Sequence, residues 1–253
     1  MQRGFFGGGI SSIMQQLRMD DLSNNIANVN TVGYRASRSS FSSYMKELAP
    51  VGGEGRAQPP GLRQVSMLDA GKQVIDLNPG TMQQTGNELD LAIQGDAYFT
   101  VQLHPGEVAL TRAGNFTLDG EGQLTTQNGL PVLDSGGSPI ALPAGKVSVT
   151  EDGNISVDNQ RVAQLGLSAV RDPQQLQKVA GTLLTADPQY IAPAEGNVRI
   201  HQGAVESSNV NSMLAMVEMV DAQRAYESTM KIVEQFNQLA AQLADRVGRI
   251  QQG

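Results

Sequence analysis

The chain has 253 residues, of which 40% are hydrophobic but only 4% aromatic, with 28 glycines, no tryptophan and a formal net charge of −7. This length allows one large domain or two smaller ones, and the glycine-rich, aromatic-poor balance favours short strands and turns over a dense enzyme core. The acidic balance argues against a nucleic-acid partner, and the absence of cysteine excludes disulfides, thiolate catalysis and cysteine zinc sites.

The N-terminal apolar run is short. It extends from Gly4 to Ile10 after a single Arg3, and no small-residue cleavage pattern follows it. This is too short for a secretory signal, and no window approaches the roughly 20 apolar residues of a membrane helix. We therefore expect a protein that is not embedded in a membrane and that, if it leaves the cytoplasm, is exported without a cleaved signal peptide.

Residues 1–35 are predicted to form an N-terminal helical segment, with the helix running from Ser11 to about Asn28. Its apolar residues form two stripes, Ile10, Ile13, Met14 and Leu17 on one face and Met19, Leu22, Ile26 and Val29 on another. A helix that is apolar on two faces contacts more than one neighbour. Clustered asparagines indicate the end of the helix, and Gly33 lies where the exiting chain needs positive φ.

Residues 36–84 are rich in Ser, Gly, Pro and Gln and are predicted to form an extended connecting segment. One or two strands are expected in it, near Leu62–Met67 and Gln73–Leu77.

Residues 85–203 are predicted to form a β-rich outer domain, mostly antiparallel. The predicted strands are Ala97–Gln102, Val108–Arg112, Asn115–Leu118, Gln123–Thr126, Lys146–Thr150, Asn154–Val157, Leu165–Val170, Leu183–Thr185 and Val198–Gln202. Prolines 173, 188 and 193 predict loops or short turns at Gln174–Val179 and Gln189–Ala194.

Two stretches of this segment echo each other, residues 116–126 and 147–157. Each reads as a hairpin around an acidic-glycine turn, Asp119–Gly122 in one and Asp152-Gly153 in the other. The same carboxylates can be imagined as calcium loops, but their spacing does not fit the EF-hand template.

Residues 204–253 are predicted to form a C-terminal helical segment, with a helix from Asn209 to Gln251. Met216, Met219, Tyr226, Met230 and Val233 form one stripe, and Ile232, Phe236, Leu239, Leu243 and Ile250 form a seam that approximates a drifting heptad. At 1.5 Å per residue such a helix is about 65 Å long. A domain of this size does not need that length for its own core, so much of the helix should project.

Enzymatic chemistry has little support in the sequence. The two histidines, His104 and His201, fall in different predicted elements, and no nucleophile elbow or His-x-x-x-His pair occurs. The glycines at 7–9 lack the Lys and Ser/Thr of a phosphate loop. We predict no catalytic residues, no metal site and no cofactor.

Several segments carry a family resemblance. They are residues 24–34 (NNIANVNTVGY), 85–99 (TGNELDLAIQGDAYF), 111–116 (TRAGNF) with Asp119-Gly120, and 222–227 (AQRAYE). These segments resemble the axial proteins of the bacterial flagellum, the family of rod and hook subunits, and they occur in the family's order. Residues 215–220 (AMVEMV) and 230–233 (MKIV) are more similar to a proximal than to a distal rod type.

The resemblance implies an α+β protein in which the N- and C-terminal helices form an antiparallel, coiled-coil-like helical domain beside the β domain. It further implies a structural subunit of the basal-body rod that assembles through these helices into a tube, transmits torque and encloses the export channel. The expected partners are other rod and hook subunits and the flagellar type III export apparatus, at a basal body spanning the periplasm. The predicted assembly interface comprises Ile10, Ile13, Met14, Leu17, Leu22, Asn24, Asn25, Ile26, Asn28, Asn30, Gly33, Met216, Met219, Gln223, Arg224, Tyr226, Ile232, Phe236, Leu239 and Leu243.

Alternatives remain at two levels. Arg224 can bridge to carboxylates or carbonyls of an adjoining subunit, or it can pair with Asp221 on its own helix. For the whole chain, the alternatives are a distal rod or hook-like protein and, more remotely, a secreted β-rich adhesin with a helical oligomerisation stalk. Because the terminal stripes need neighbours to cover them, we also expect both ends to be mobile in the free monomer and to order on incorporation.

Overall fold

The computed structural model describes residues 2–42, 69–104, 106–194, 196 and 198–250. Two long helices, α1 (Gln2–Ala27) and α2 (Ser212–Ile250), enclose a series of short antiparallel strands in the chain order. The predicted α+β class is therefore confirmed at this level. The division of the chain into separate domains stays a prediction.

Local capping chemistry sets the facing ends of the two helices. After α1, the Asn28 side chain donates to the backbone oxygen of Asn24 at 2.8 Å, in addition to the backbone N–H of Asn28 at 3.2 Å. Before α2, the Asn211 side chain accepts from the backbone N–H of Leu214 at 3.0 Å and acts as the N-cap. The helix therefore starts at Ser212 and not at Asn209 as predicted.

The start of α1 is the larger difference from the sequence prediction. The helix begins at Gln2, whereas Ser11 was predicted as its first residue. Glycine is unfavourable in a helix but retains its backbone N–H, so glycines 7–9 can continue the hydrogen-bond ladder. The predicted start is wrong for this reason, while the predicted end near Asn28 is confirmed.

The described residues between the helices form seventeen strands. They are β1 (Ser37–Ser42), β2 (Asp69–Ile75), β3 (Met82–Gln84), β4 (Leu91–Gln94), β5 (Tyr98–His104), β6 (Glu107–Thr111), β7 (Thr117–Leu118), β8 (Leu124–Thr125), β9 (Val147–Val149), β10 (Asn154–Val157), β11 (Gln160–Gln164), β12 (Leu167–Val170), β13 (Gln177–Ala180), β14 (Leu183–Thr185), β15 (Ile191–Pro193), β16 (Arg199–Gln202) and β17 (Ala204–Glu206). Short 3-10 turns precede β13 and β15, at Pro173–Gln175 and Pro188–Tyr190.

Antiparallel pairing organises these strands into one larger sheet and several small ones. The larger sheet has the order β13-β14-β6-β5-β12-β15, and a second sheet has the order β11-β10-β9. Two-stranded pairs are formed by β1 with β2, β4 with β16, β3 with β17, and β7 with β8. Alternating side chains meet in one main core, where Phe99 and Phe116 pack edge to face with ring centroids 5.0 Å apart.

Both predicted acidic-glycine hairpins are confirmed, as β7–β8 and β9–β10. The loops predicted at Gln174–Val179 and Gln189–Ala194 are wrong in part, because β13 and β15 lie there. Both are edge strands of the larger sheet. An edge strand tolerates a proline such as Pro193 of β15, because its free side has no neighbouring strand that needs the missing N–H. The strand predicted at Leu62–Met67 lies outside the described residues, and the one near Gln73–Leu77 overlaps β2.

A narrow neck, formed by the pair β3 and β17, joins the β-rich part to the helices. Its register aligns Gln84 with Ala204 and Met82 with Glu206. Just beyond it, the backbone N–H of Gly33 donates to the oxygen of Glu206 at 2.7 Å. The chain thus enters and leaves the β-rich part side by side, next to the facing ends of α1 and α2.

Gly33 fills a position that no other residue fits without strain. Its φ is +68°, as predicted, and an added Cβ would lie 2.2 Å from the backbone nitrogen of Ala113. Gly33→Ala should therefore lower the free energy of unfolding by at least about 2 kcal/mol, because left-handed strain adds to displacement of a neighbouring backbone segment. Urea denaturation followed by circular dichroism measures this change.

Gly129→Ala is the matched control for this substitution. Gly129 has a similar φ of +78°, but nothing lies within 4 Å of its added Cβ. Its variant should show only the left-handed strain, about 1 kcal/mol. Equal losses in the two variants would contradict the close approach of Gly33 to Ala113.

Candidate assembly surface

The C-terminal turns of α1 pack against the N-terminal turns of α2. Leu22 of α1 is buried with Ala215 and Ala222 of α2, and Ala222 is only 1% exposed. Alanine at these two positions permits close approach of the helices. Met19, Ile26, Val210 and Met219 surround this contact and are half-buried. The two ends of the chain are therefore paired within one subunit over this region.

Two asparagines fix the junction between the helices and the strands. The Asn25 side chain donates to the Ser37 oxygen at 2.9 Å and accepts from the Ser37 N–H and the Tyr34 hydroxyl, each at 3.1 Å. Asn209 accepts from the Ala36 N–H at 2.8 Å and donates to two oxygens of the segment after β2. These bonds satisfy every polar atom of both side chains and hold α1, β1 and the start of α2 in one arrangement.

Three buried charged side chains lie where the neck meets this junction, and we call them the Arg35–Glu206–Arg112 cluster. Arg35 Nη2 is 2.7 Å from Glu206 Oε1, and Arg112 Nη1 is 3.3 Å from Glu206 Oε2. The three side chains are 3–5% exposed. The cluster therefore links the segment after α1, the loop after β6 and strand β17 by buried charge-assisted hydrogen bonds.

A third cation, Lys178 of β13, contacts the same junction. Its Nζ lies 3.6 Å from the centroid of the Tyr34 ring and donates to the Arg35 oxygen at 3.0 Å. Burial lowers the pKa of Lys178 to about 8, and the charge of Asp21 opposes this shift. Burial likewise raises the pKa of Tyr34, which keeps that ring neutral beneath the ammonium group.

The depressed pKa of Lys178 predicts a rise in stability with pH. Between about pH 8 and the ordinary lysine value of 10.5, the unfolded chain binds a proton that the folded chain does not. The free energy of unfolding therefore increases across this window. Its contribution from Lys178 is least favourable below pH 8, where the folded protein carries the full cost of burying the ammonium charge.

Lys178→Met is the comparison variant, because methionine keeps an apolar stem without a titratable group. We expect the urea midpoint of the wild type to rise, relative to that of the variant, between pH 7.5 and 9.5. If the urea midpoints of the two proteins change in parallel over this range, the pKa of Lys178 is not lowered by burial in the folded protein.

The faces of α2 that are turned away from α1 present apolar side chains to solvent. Its exposed residues, which we call the α2 stripe, are Met213, Leu214, Met216, Val217, Val220, Met230, Ile232, Phe236 and Leu239. α2 has 39 residues and is about 58 Å long, whereas α1 has 26 residues, so α1 is too short to cover the whole of α2. An apolar surface of this extent on a single helix is characteristic of an interaction site.

The predicted assembly residues fall into three groups. Exposed are Ile13, Asn24, Asn30, Met216, Gln223, Arg224, Ile232, Phe236 and Leu239. Half-buried are Met14, Leu17, Ile26, Asn28, Met219 and Tyr226, and buried within the subunit are Leu22, Asn25 and Gly33. The side chains of Ile10 and Leu243 lie outside the described part. The sequence analysis did not select Arg35, Arg112, Glu206 or Asn209. Arg112 lies within the 111–116 motif and Arg35 directly follows residues 24–34.

The segment around Arg224 has few partners of its own. Gln223 donates to Glu227 at 3.2 Å along the exposed helix face. Within the part of the chain that the structure describes, no ion pair joins Asp221 to Arg224. The guanidinium fork of Arg224 is thus presented to solvent.

The side chains that could bind a metal ion or act in catalysis do not cluster in the part of the chain that the structure describes. Among the described residues, no cluster of three or more His, Asp or Glu side chains is placed to hold a metal ion. His104 pairs with Glu107 at the rim of a hairpin, and His201 contacts Gln94 at 2.9 Å. Neither described helix combines the length and apolar character that crossing a membrane requires.

Comparison with known proteins finds three matching family models. They are described as a flagella basal body rod protein model over residues 13–35, a flagellar hook protein FlgE/F/G D1 domain over residues 92–157, and a flagellar basal body rod FlgEFG protein C-terminal model over residues 201–246. Together they include the end of α1, much of the β-rich part and most of α2.

Full-length relatives match as well. The flagellar basal-body rod protein FlgF of Rhizobium meliloti is 33% identical over 92% of each chain. FlgF of Caulobacter vibrioides is 33% identical over 96% of this chain and 97% of its own. The flagellar basal-body rod protein FlgG of Bacillus subtilis is 33% identical over 94% of this chain and 96% of its own.

Proposed function

Because the chain belongs to the family of flagellar basal-body rod proteins, we propose that its helices build a tubular rod in which the α2 stripe is covered by neighbouring subunits. The protein is a structural subunit of the flagellar rod, located at the basal body. The observation that carries the proposed mode of assembly is the exposed apolar length of α2.

The proposed interface consists of the predicted assembly residues whose side chains are exposed in the single subunit. Leu22, Asn25 and Gly33 already have partners in their own chain. The exposed members of the set, from Ile13 of α1 to Leu239 of α2, then form the centre of the contact, and the half-buried members form its border. Helices of neighbouring subunits would pack along this seam in a coiled-coil-like manner.

Such a contact is heterologous, since one face of a subunit meets a different face of the next. When the rotation between subunits does not close a ring, heterologous contacts propagate as a helical tube. In this arrangement the helices form the inner layer and the strands face outward. The tube transmits motor torque and encloses the channel through which later subunits are exported.

The partners follow from this place in the cell. Other rod and hook subunits would contact the helices, and the flagellar export apparatus would carry the chain across the membrane without a cleaved signal peptide to a rod that spans the periplasm. The relatives are structural proteins, and we propose no catalytic activity, metal or cofactor for this chain.

A proximal position in the rod is our first assignment, and a distal position is the second candidate. The FlgF relatives favour the former, while the FlgG relative at the same identity keeps the latter open. Electron cryo-microscopy of purified basal bodies, with the chain located by a tag in the β-rich part, separates the two. Absence of the chain from the rod would overturn the proposed function.

Order and assembly should be coupled in the second half of α2. In the free subunit, residues 230–239 are largely exposed, and a helix without tertiary contacts is marginal in water. We expect amide hydrogen exchange in dilute monomer to be rapid beyond Met230 and slower where Leu22 packs against Ala215 and Ala222. In assembled rods, exchange beyond Met230 should slow by at least tenfold. Strong protection of residues beyond Met230 in the monomer would contradict this.

A further inference from the structure

The exposed apolar residues of α2 lie on more than one side of the helix. Two sets of three are 42–80% exposed: Met213, Val217 and Val220, which we call the first face, and Ile232, Phe236 and Leu239, which we call the second face. At about 100° per residue, the first face lies nearly opposite Ala222, which packs against α1, and the second face lies roughly 110° around the helix from the first. One flat neighbour therefore cannot cover both.

The two faces have the same internal spacing. In each, the second residue follows the first by four positions and the third follows the second by three. Alternating steps of four and three are the spacing by which parallel helices interlock their side chains. Every residue of the second face lies 19 positions beyond its counterpart in the first face, about 28 Å along the helix. An offset of 19 positions between two parallel copies of α2 thus brings three pairs level: Met213 with Ile232, Val217 with Phe236, and Val220 with Leu239.

Neither face carries a charge that such a contact would bury. Within residues 213–220 and 232–239, the charged residues are Glu218 and Glu234. Each lies about 150° or more around the helix from the face in its own span. Packing the first face on the second therefore avoids the cost of removing a carboxylate from water.

The area of this contact fits an assembly of many copies better than a free dimer. The exposed parts of the six residues amount to roughly half of the 1,200 Å² that a specific, stable interface buries. The two faces of one helix are also about 28 Å apart, so they cannot cover each other within one subunit. A single contact of this size leaves the free chain monomeric, whereas a copy inside a tube makes the contact twice, once through each face.

We propose that the first face of α2 packs on the second face of α2 in another copy of this chain, with the helices parallel and offset by 19 positions. The inference rests on the proposed function, because copies repeated by one operation along a tube point the same way and keep their α2 helices parallel. Since the two faces differ, the contact is heterologous and the next copy can repeat it. Copies that touch in this way are displaced by about 28 Å along the helix direction.

Disulfide cross-linking in assembled rods tests the offset, because the chain has no cysteine of its own. Val217→Cys combined with Phe236→Cys in one chain should give covalent dimers and higher multimers when purified basal bodies are oxidised. The two positions are too far apart on one helix to form a disulfide within a subunit. Met213→Cys combined with Ile232→Cys has the same offset and should behave in the same way, so the result does not depend on one pair of substitutions.

Two control pairs keep the number of cysteines constant. Val217→Cys with Met230→Cys places the second cysteine at an exposed position away from the second face. Met213→Cys with Leu239→Cys keeps both faces but changes the offset by seven positions. Each control should give at least about fivefold less cross-linked product than the matched pair with which it shares a cysteine, since a disulfide needs Cβ atoms about 4 Å apart.

The contact would be overturned by assembled rods in which the matched pairs yield no more cross-linked product than the control pairs. Cross-linking by Val217→Cys alone would overturn it too, because identical residues would then face each other. Exclusion of both matched pairs from rods that accept the control pairs would contradict it as well. Incorporation of the wild-type chain is scored in parallel, and its absence from rods would contradict the proposed function itself, so the two failures are distinguishable.

Discussion

Leu239→Asp should abolish incorporation of the subunit into the rod, and with it motility, while the free subunit folds normally. Leu239 is 55% exposed in the subunit, so aspartate there remains hydrated in the monomer. If neighbouring helices cover the α2 stripe, the same carboxylate is buried without a partner in the assembly, at a cost of several kcal/mol for every subunit. A swimming assay and the yield of purified rods measure the loss.

Asn237→Asp is the matched control for this prediction. Asn237 is also exposed and lies two positions earlier, on the opposite side of the same helix. The variant introduces an equal charge on the side of α2 away from Ile232 and Leu239, so motility should be retained. The urea midpoints of both variants should equal that of the wild type. Swimming by the Leu239→Asp strain would count against the stripe as an assembly surface, and we expect Leu243→Asp to behave as Leu239→Asp does.

Glu206→Gln should cause the largest loss of stability among the substitutions considered. The amide removes the only buried carboxylate of the Arg35–Glu206–Arg112 cluster and turns an N–H₂ group toward a guanidinium. Breaking a buried ion pair from one side costs about 3–5 kcal/mol, because the remaining charges stay buried without compensation. Equilibrium urea unfolding of the monomer, monitored by circular dichroism, measures the change.

Glu151→Gln provides the comparison at a solvated ion pair. Glu151 lies 3.5 Å from Arg199, but both side chains are more than half exposed. Its loss should change the free energy of unfolding by no more than about 0.5 kcal/mol. A similarly small effect of Glu206→Gln would mean that the cluster does not hold the β-rich part to the helices.

The C-terminal end of α1 and the two acidic-glycine hairpins were predictable because the residues that determine them are close in sequence. Asn28 ends α1 through a bond to Asn24, four residues back, and Gly33 adopts the positive φ expected after a helix. The hairpins β7–β8 and β9–β10 follow the acidic-glycine turns. In these cases the residues that decide the conformation lie within one turn of chain, so a sequence pattern contains the whole cause.

Elements that depend on distant partners escaped prediction. β1 has a polar sequence that reads as a linker, and it becomes a strand by pairing with β2, so that Ser37 lies opposite Ile75. The edge strands β13 and β15 were missed because intrinsic propensity is a weak guide once pairing with a neighbouring strand acts.

The candidate assembly surface also has a part that the sequence predicts and a part that depends on contacts between distant residues. The helical periodicity of α2 indicates its apolar residues, and the exposure of Met216, Ile232, Phe236 and Leu239 shows that these are not needed for the subunit's own core. The Arg35–Glu206–Arg112 cluster had no such signal, since Glu206 is 94 positions from Arg112. Likewise, Asn209 bonds to a backbone group 173 positions away. Only the folded chain brings these residues together.

The neck of β3 and β17 has a consequence for how such proteins diversify. Because the chain leaves the helices and returns to them through one adjacent pair of strands, the segment between Gln84 and Ala204 is inserted at a single point. Two of its side chains reach back across that point, Arg112 to Glu206 and Lys178 to Tyr34. Exchanging the segment between relatives should therefore yield hybrids that still polymerise only when the incoming segment supplies both contacts.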